Sequence, residues 1–492
     1  MHRIATIRNY AGGKWREPAP GGVKEILNPA TAETLGWAPE GSAADVETAV
    51  ASASAAFPGW RARPPQDRIQ YLFRLRELMI SRLEDLAATI TRENGKTLAE
   101  ARGELQRGIE NIEVACGIPT LMQGYNLEDV AAGIDEIMIR QPLGVVAAIT
   151  PFNFPGMIPL WFLPYAIACG NTMIVKPSER VPLTMQKFFG LVEEAGLPEG
   201  VLNLVNGGKP AVDALLDHPD VKAISFVGST PVARYIYARA AANGKRVQCQ
   251  GGAKNHVVVL PDADLAMATK IIADSAFGCA GQRCLAVATA ITVGEARERF
   301  RDAIIETAAA IRVGNGLDQR TQMGPVISKA SQSRIERCIA AGVEAGARAV
   351  LDGRGVPVEG GESGFFIAPT VLDGVPADGE LSTTEIFGPV LSLLAARDVD
   401  EALAIIARNP FGNAASIFTS SGEAARRFRH EVPAGNVGVN IGIAAPMAYF
   451  PFSGWKDSFL GVLHGQGRDS VEFYTDKKVV IERWPSEWSR KF

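Results

Sequence analysis

A cysteine in FGCAGQRCLA, residues 277–286, and an amide in PFNFP, residues 151–155, have surroundings suited to covalent chemistry. Cys284 follows Gly-Gln-Arg directly, so the guanidinium of Arg283 is its sequence neighbour, and a nearby cation favours the nucleophilic thiolate. Asn153 stands between Pro151 and Pro155. A rigidly placed amide suits an oxyanion, whose donor must be fixed before the charge develops. An isolated cysteine is more often a small buried apolar residue, and Cys116, Cys169, Cys279 and Cys338 are read that way. An Asn in a proline-rich turn is, taken alone, ordinary turn chemistry.

Other short stretches suit a nucleotide. IVKPSE puts Lys176 and Glu179 just past the C-terminal end of an expected strand, where open parallel sheets bind nucleotides. FVGST, residues 226–230, followed by Pro231, reads as a strand, a turn and a helix start, so Gly228 and Ser229 could meet a pyrophosphate at a helix N-terminus. Helix capping explains Ser229 equally well. No G-x-G-x-x-G occurs in the chain. The stretch QCQGGAKNH, residues 248–256, places Gln250 before a Gly-Gly pair, and an amide cannot act as a general base. EIFGPV (385–390) and NPFGN (409–413) read as turns.

The elements that must carry these residues are legible in the apolar pattern. Leu72, Leu75, Met79, Leu83, Leu86 and Ile90 recur at steps of three and four, which predicts helices through most of 65–115. From 143 onward, LGVVAAIT, NTMIVKPS, VLNLVNGG, AISFVGST and HVVVLPDAD alternate with helical stretches, the texture of parallel βαβ units. A second series follows Cys284: AVATAITV, a helix over 296–311, APTVLDGV, PVLSLLAA and AASIFTS. Two α/β lobes are therefore expected. EDVAAGIDEIMIRQPLG alternates like an exposed hairpin, and the tail SVEFYTDKKVVIERW reads as a strand; both are candidates for pairing with another subunit.

Composition bounds the function. The 492 residues are 47% hydrophobic with net charge −4, so nothing argues for nucleic acid or an anionic membrane as a partner. The six cysteines lack zinc-site spacing, so no metal is expected. The N-terminus has no secretory pattern, which predicts a cytoplasmic protein with reduced thiols. Leu143–Val175 is uncharged but carries Pro151, Pro155, Pro159 and Pro164, which favours a buried soluble segment over a membrane span.

In this order, PFNFP, IVKPSE, FVGST, the Gly-Gly-Ala-Lys stretch, GQRC, EIFGPV and NPFGN resemble the aldehyde dehydrogenase superfamily along nearly the whole chain. The resemblance implies an α/β fold with a Rossmann-like NAD domain (1–122 and 141–249, with 445–468 packing back on it), a catalytic domain (250–444) and a β oligomerisation arm (123–140 and 469–492). It implies Cys284 as nucleophile and Asn153 as oxyanion donor. The implied cofactor contacts are Phe154, Lys176, Glu179, Gly228, Ser229, Glu385 and Phe387. Hydrolytic members carry a water-activating Glu where this chain has Gln250, 34 positions before Cys284. GAKNH, GQRC and QRGIEN (106–111) are similar to the CoA-acylating methylmalonate-semialdehyde dehydrogenase branch, which also accepts malonate semialdehyde and commonly has Asn at that position. That likeness implies coenzyme A as co-substrate, Arg107 and Arg283 as carboxylate ligands, and a homotetramer built as a dimer of dimers. Arg107 taken alone would be one polar position of an amphipathic helix. The rival expectations are a hydrolytic enzyme giving a free acid and a catalytically silent scaffold subunit.

Overall fold

In the computed structural model, which describes residues 5–484, the apolar runs form two large sheets. The first has eight strands in the order Phe459–Leu460, Arg246–Gln250, Val221–Val227, Val145–Ile149, Thr172–Lys176, Leu202–Leu204, Asn9–Ala11, Lys14–Arg16. From Arg246–Gln250 to Leu202–Leu204 the strands are parallel, and their residues are almost all buried, as strands covered on both faces must be. The chain runs from Val145–Ile149 outward through Thr172–Lys176 and Leu202–Leu204, then returns to Val221–Val227 on the other flank. That reversal opens a crevice beyond the C-terminal ends of Val145–Ile149 and Val221–Val227.

The second sheet has seven strands, ordered Arg348–Leu351, Thr370–Asp373, Val390–Ala396, Val287–Val293, Asn255–Val259, Ala414–Phe418, Asn436–Val439, and only the Arg348–Leu351 edge is antiparallel. Each sheet has its own apolar core. The span 65–115 folds as three helices, Pro65–Ser81, Leu83–Asn94 and Leu98–Ala115. Gly95 ends the second at φ 97, where an added Cβ would stand 2.8 Å from the Pro325 ring, and a Thr97–Glu100 capping box starts the third.

The hairpin is Tyr125–Ala131 with Ile134–Pro142, and Thr475–Arg483 pairs antiparallel along its second strand. The tail differs from its sequence pattern at one point: SVEF belongs to a helix, Gly467–Phe473, because Val471, Phe473 and Tyr474 turn into the main core, and the strand starts only at Thr475. Residues 485–492 of the expected arm lie outside the described residues. Leu143–Val175 is two buried strands flanking short helical turns, and no helix among the described residues is long and apolar enough to cross a membrane.

Candidate active site

Cys284 lies in a turn just before the strand Val287–Val293, at the N-terminal edge of the second sheet. The backbone ahead of it is left-handed at Cys279 (φ 50), Ala280 (φ 52) and Gly281 (φ 69), an arrangement disfavoured for residues with a Cβ. Only glycine fits at 281, since a Cβ there would stand 2.1 Å from the Gly388 carbonyl oxygen. Fixed partners hold the loop. Glu100 accepts from the Cys279 amide at 2.5 Å and pairs with Arg283 at 3.0 Å. The Cys284 carbonyl accepts from the side-chain amides of Asn255 (2.9 Å) and Asn413 (2.8 Å), each positioned by the start of a strand.

Two cavities meet at Cys284. A cleft of about 850 Å³ runs from the crevice of the first sheet and is lined by Asn153, Lys176, Glu179, Gly228, Ser229, Glu385 and Phe387, among others. A second cavity, of about 390 Å³, is lined by Arg107, Arg283, Phe154, Trp161, Phe452 and Gln466, among others. Cys284 lines both. The sequence candidates therefore sort onto two sides of one thiol.

On the cleft side, Asn153 is buried and one of its Nδ2 hydrogens is committed to the Gln282 carbonyl at 3.1 Å, which leaves the other available. Lys176 donates to the Gly207 carbonyl at 2.8 Å, and burial pushes its pKa down to about 8. Burial opposes ionisation of Glu179, but Lys176 at 3.8 Å and Lys24 at 3.6 Å outweigh it and hold the carboxyl below its usual range. A Cβ at Gly228 would stand 2.4 Å from the tip of the Phe226 ring, so a side chain there would force that ring to shift. Ser229 heads the helix Thr230–Ala242 but its hydroxyl makes no capping bond, so capping does not account for it. Glu385 accepts from the Ala253 amide at 3.0 Å, and burial pushes its carboxyl up to about 7. Phe387 adopts φ 52 and packs edge-on against Phe152 at 5.8 Å.

Three expectations change. Phe154 lines the smaller cavity and not the cleft, because Lys96 holds its ring at 3.9 Å; Phe152 is the aromatic of PFNFP that faces the cleft. Arg283 does pull the Cys284 thiol down, but burial, with Glu385 adding, outweighs it and pushes the thiol up to about 12, and the guanidinium is shared with Glu100. Gln250 ends the strand Arg246–Gln250 but lines neither cavity. It is buried, a Cβ at Gly465 would stand 3.1 Å from its Nε2, and neither amide atom has a hydrogen-bond partner among the described residues.

Both arginines reach the smaller cavity, each already paired: Arg107 with Glu110 at 3.1 Å and Arg283 with Glu100. Sequence reasoning does not single out Glu100, Glu110, Asn255, Asn413 or Gln466. Asn255 and Asn413 were within its reach, since they occupy GAKNH and NPFGN; the glutamates are spaced like any polar helix face.

The aldehyde dehydrogenase family model matches residues 15–480. The chain is 48% identical over 482 residues to malonate-semialdehyde dehydrogenase 2 of Geobacillus kaustophilus (strain HTA426), covering 98% of this chain and 99% of that one. It superposes with a TM-score of 0.97 on a Sinorhizobium meliloti 1021 protein assigned as a methylmalonate-semialdehyde dehydrogenase and solved with NAD, at 45% identity and 99% coverage of both chains. The TM-score is also 0.97 against methylmalonate-semialdehyde dehydrogenase from Oceanimonas doudoroffii, at 44% identity, covering 98% of this chain and 99% of that one. With the two-sided cysteine site and an end-to-end match in sequence and shape, the chain belongs to the aldehyde dehydrogenase family.

Proposed function

We propose that this protein oxidises malonate semialdehyde and methylmalonate semialdehyde with NAD and CoA, giving acetyl-CoA or propionyl-CoA and CO₂ through a thioester on Cys284. The observation that carries the reading is the junction at Cys284, where a dinucleotide-sized cleft meets a cavity bearing two guanidinium groups. The similarity to proteins named for these two substrates supports it.

The cleft fits NAD. It opens at the point where strand order reverses, Gly228 leaves room for close approach, and the uncommitted Ser229 hydroxyl faces it at a helix N-terminus. Lys176 and Glu179 suit the adenosine ribose, Glu385 and Phe387 the nicotinamide end. Bound there, NAD supplies the hydride acceptor. In the other cavity, Arg107 and Arg283 take the substrate carboxylate, a recognition that matches the planar guanidinium fork.

The Cys284 sulfur, as thiolate, bonds to the aldehyde carbon, and the carbonyl oxygen becomes an oxyanion facing Asn153 Nδ2 and the Cys284 backbone amide. Loss of hydride from that carbon leaves a thioester on Cys284. Gln250 offers no base to activate water and lines neither cavity. A thiol co-substrate, CoA, as its thiolate, displaces the Cys284 sulfur, which departs as thiolate, and the malonyl-type group loses CO₂, the electron pair left on its α-carbon taking up a proton from solvent. Product analysis with both semialdehydes, with and without CoA, tests this: acyl-CoA and CO₂ are expected, whereas free acid formed at full rate without CoA identifies the hydrolytic alternative.

The assembly is part of the proposal. The arm sheet leaves Tyr125, Leu127, Val479 and Ile481 between 60% and 72% exposed, an apolar strip suited to a second copy, and we read it as the contact of a cytoplasmic homotetramer. Light scattering should return four times the chain mass; a monomer contradicts the reading.

A further inference from the structure

A fully buried ion pair lies beside the Asn153 loop. Lys96 and Glu104, both with no side-chain exposure, pair at 2.5 Å, Lys96 from the linker after Gly95 and Glu104 from the second turn of the helix Leu98–Ala115. Lys96 Nζ also donates to the carbonyl of Asn153 itself at 2.6 Å and sits over the Phe154 ring at 3.9 Å. Glu104 Oε1 accepts from the amides of Gly156 (2.6 Å) and Met157 (3.1 Å). Two residues before Lys96, at the end of the preceding helix, Asn94 Nδ2 donates to the Phe152 carbonyl at 2.9 Å. The backbone on both sides of Asn153 is thus held from three side chains at one helix junction.

Burying two charges is costly, and a buried pair is often no more stabilising than an apolar one of the same volume. Its bonds to the loop are charge-assisted and short, so what the pair contributes is a fixed position for the segment it grips. Pro151 and Pro155 restrict the loop but have no N–H to anchor it. An oxyanion donor must sit within a fraction of an ångström of its productive place.

We propose that Lys96 and Glu104, assisted by Asn94, are positioning residues that set the Asn153 amide for the oxyanion and, through Phe154, the facing wall of the substrate cavity. The proposal rests on Asn153 being the oxyanion donor. Neither Lys96 nor Glu104 needs to touch the reacting atoms; each acts through the loop.

The test is a mutant cycle read by the pre-steady-state rate of NADH formation with malonate semialdehyde. Lys96→Met alone leaves Glu104 buried and unpaired and threatens folding, so the main variant is the neutral, volume-matched Lys96→Met/Glu104→Gln, with Asn94→Ala as a milder probe. Asn153→Ala should slow acylation by about 10²–10³-fold, the worth of one oxyanion donor. The double variant should slow it by roughly 10- to 100-fold, and Asn94→Ala by a few-fold, with NAD affinity unchanged within about twofold because the cleft's ribose and phosphate contacts are untouched. Introduced into Asn153→Ala, each should cost less than about threefold more, since the amide it positions is gone and only the Phe154 wall remains to be set. Equal slowing in both backgrounds would overturn the proposal and reduce the pair to a stability element. Full acylation rate in Asn153→Ala would instead remove the oxyanion reading on which it rests, a distinct outcome that also overturns it.

Discussion

On the cleft side of Cys284, Ser229 heads its helix with a hydroxyl that caps nothing and Gly228 leaves the approach clear, whereas on the opposite side Arg107 and Arg283 already hold Glu110 and Glu100. The cleft is a receptor with free polar groups at its phosphate end. The second cavity is a set of ion pairs, which in the proposed function an incoming carboxylate must enter by exchange or by sharing. Affinity on the first side follows from hydrogen bonds formed to uncommitted groups; on the second it is a difference between two carboxylates competing for one guanidinium. The partly buried thiol between them lies near Glu385 and, without ligands, is held neutral.

The largest expected effect concerns the junction itself. Cys284→Ser should abolish turnover by about four orders of magnitude or more while NAD still binds, since the cleft is otherwise intact. Retained NAD binding by titration with lost turnover keeps the two sides separable; loss of both would merge them.

Next comes pH. With the Cys284 thiol pushed up to about 12, thiolate is scarce at neutral pH in the ligand-free protein, so alkylation of Cys284 by iodoacetamide should rise about tenfold per pH unit, roughly 10³-fold from pH 7 to 10. A plateau below pH 9 would mean that Arg283 governs the thiol after all.

Arg107→Ala should lower kcat/KM for carboxylated semialdehydes by roughly 10- to 150-fold, the worth of about 1.5–3 kcal/mol for a charge-assisted contact, and leave propanal nearly unaffected. Equal losses on both substrates would make Arg107 a structural partner of Glu110. The smallest effect sharpens the contrast most. Glu110→Gln removes the competing carboxylate, so KM for malonate semialdehyde should fall about two- to fivefold, in keeping with a half-exposed ion pair, while KM for NAD stays fixed. A rise in KM would show that Glu110 orients Arg107 instead of competing for it.

Much of this arrangement was legible in the residues. Strand runs such as NTMIVKPS and AISFVGST carry their function at the C-terminal end, and parallel α/β topology puts those ends together, so Lys176, Glu179, Gly228 and Ser229 meet in one cleft. What the sequence hid depends on direction rather than on type. PFNFP offers two phenylalanines, and only the fold shows that Phe152 faces the cleft while Lys96 holds Phe154 in the other cavity. GQRC puts a guanidinium next to the cysteine, but Glu100, 183 positions away, takes that charge. The tail reads as strand at SVEF because Val471 and Phe473 alternate as in a strand, yet they pack as one side of a short helix.

Gln250 is where the account is most exposed. Its amide is buried, lines neither cavity and cannot act as a base, and Glu385, the carboxylate near Cys284, is taken up by the nicotinamide end in the proposed function, so an acyl group on Cys284 should wait for a thiol. Stopped-flow NADH formation with malonate semialdehyde and no CoA should therefore show a burst of about one equivalent per site followed by a slow phase, and CoA should convert the slow phase to steady turnover with acyl-CoA as product. Rapid, CoA-indifferent turnover to free acid would contradict the account.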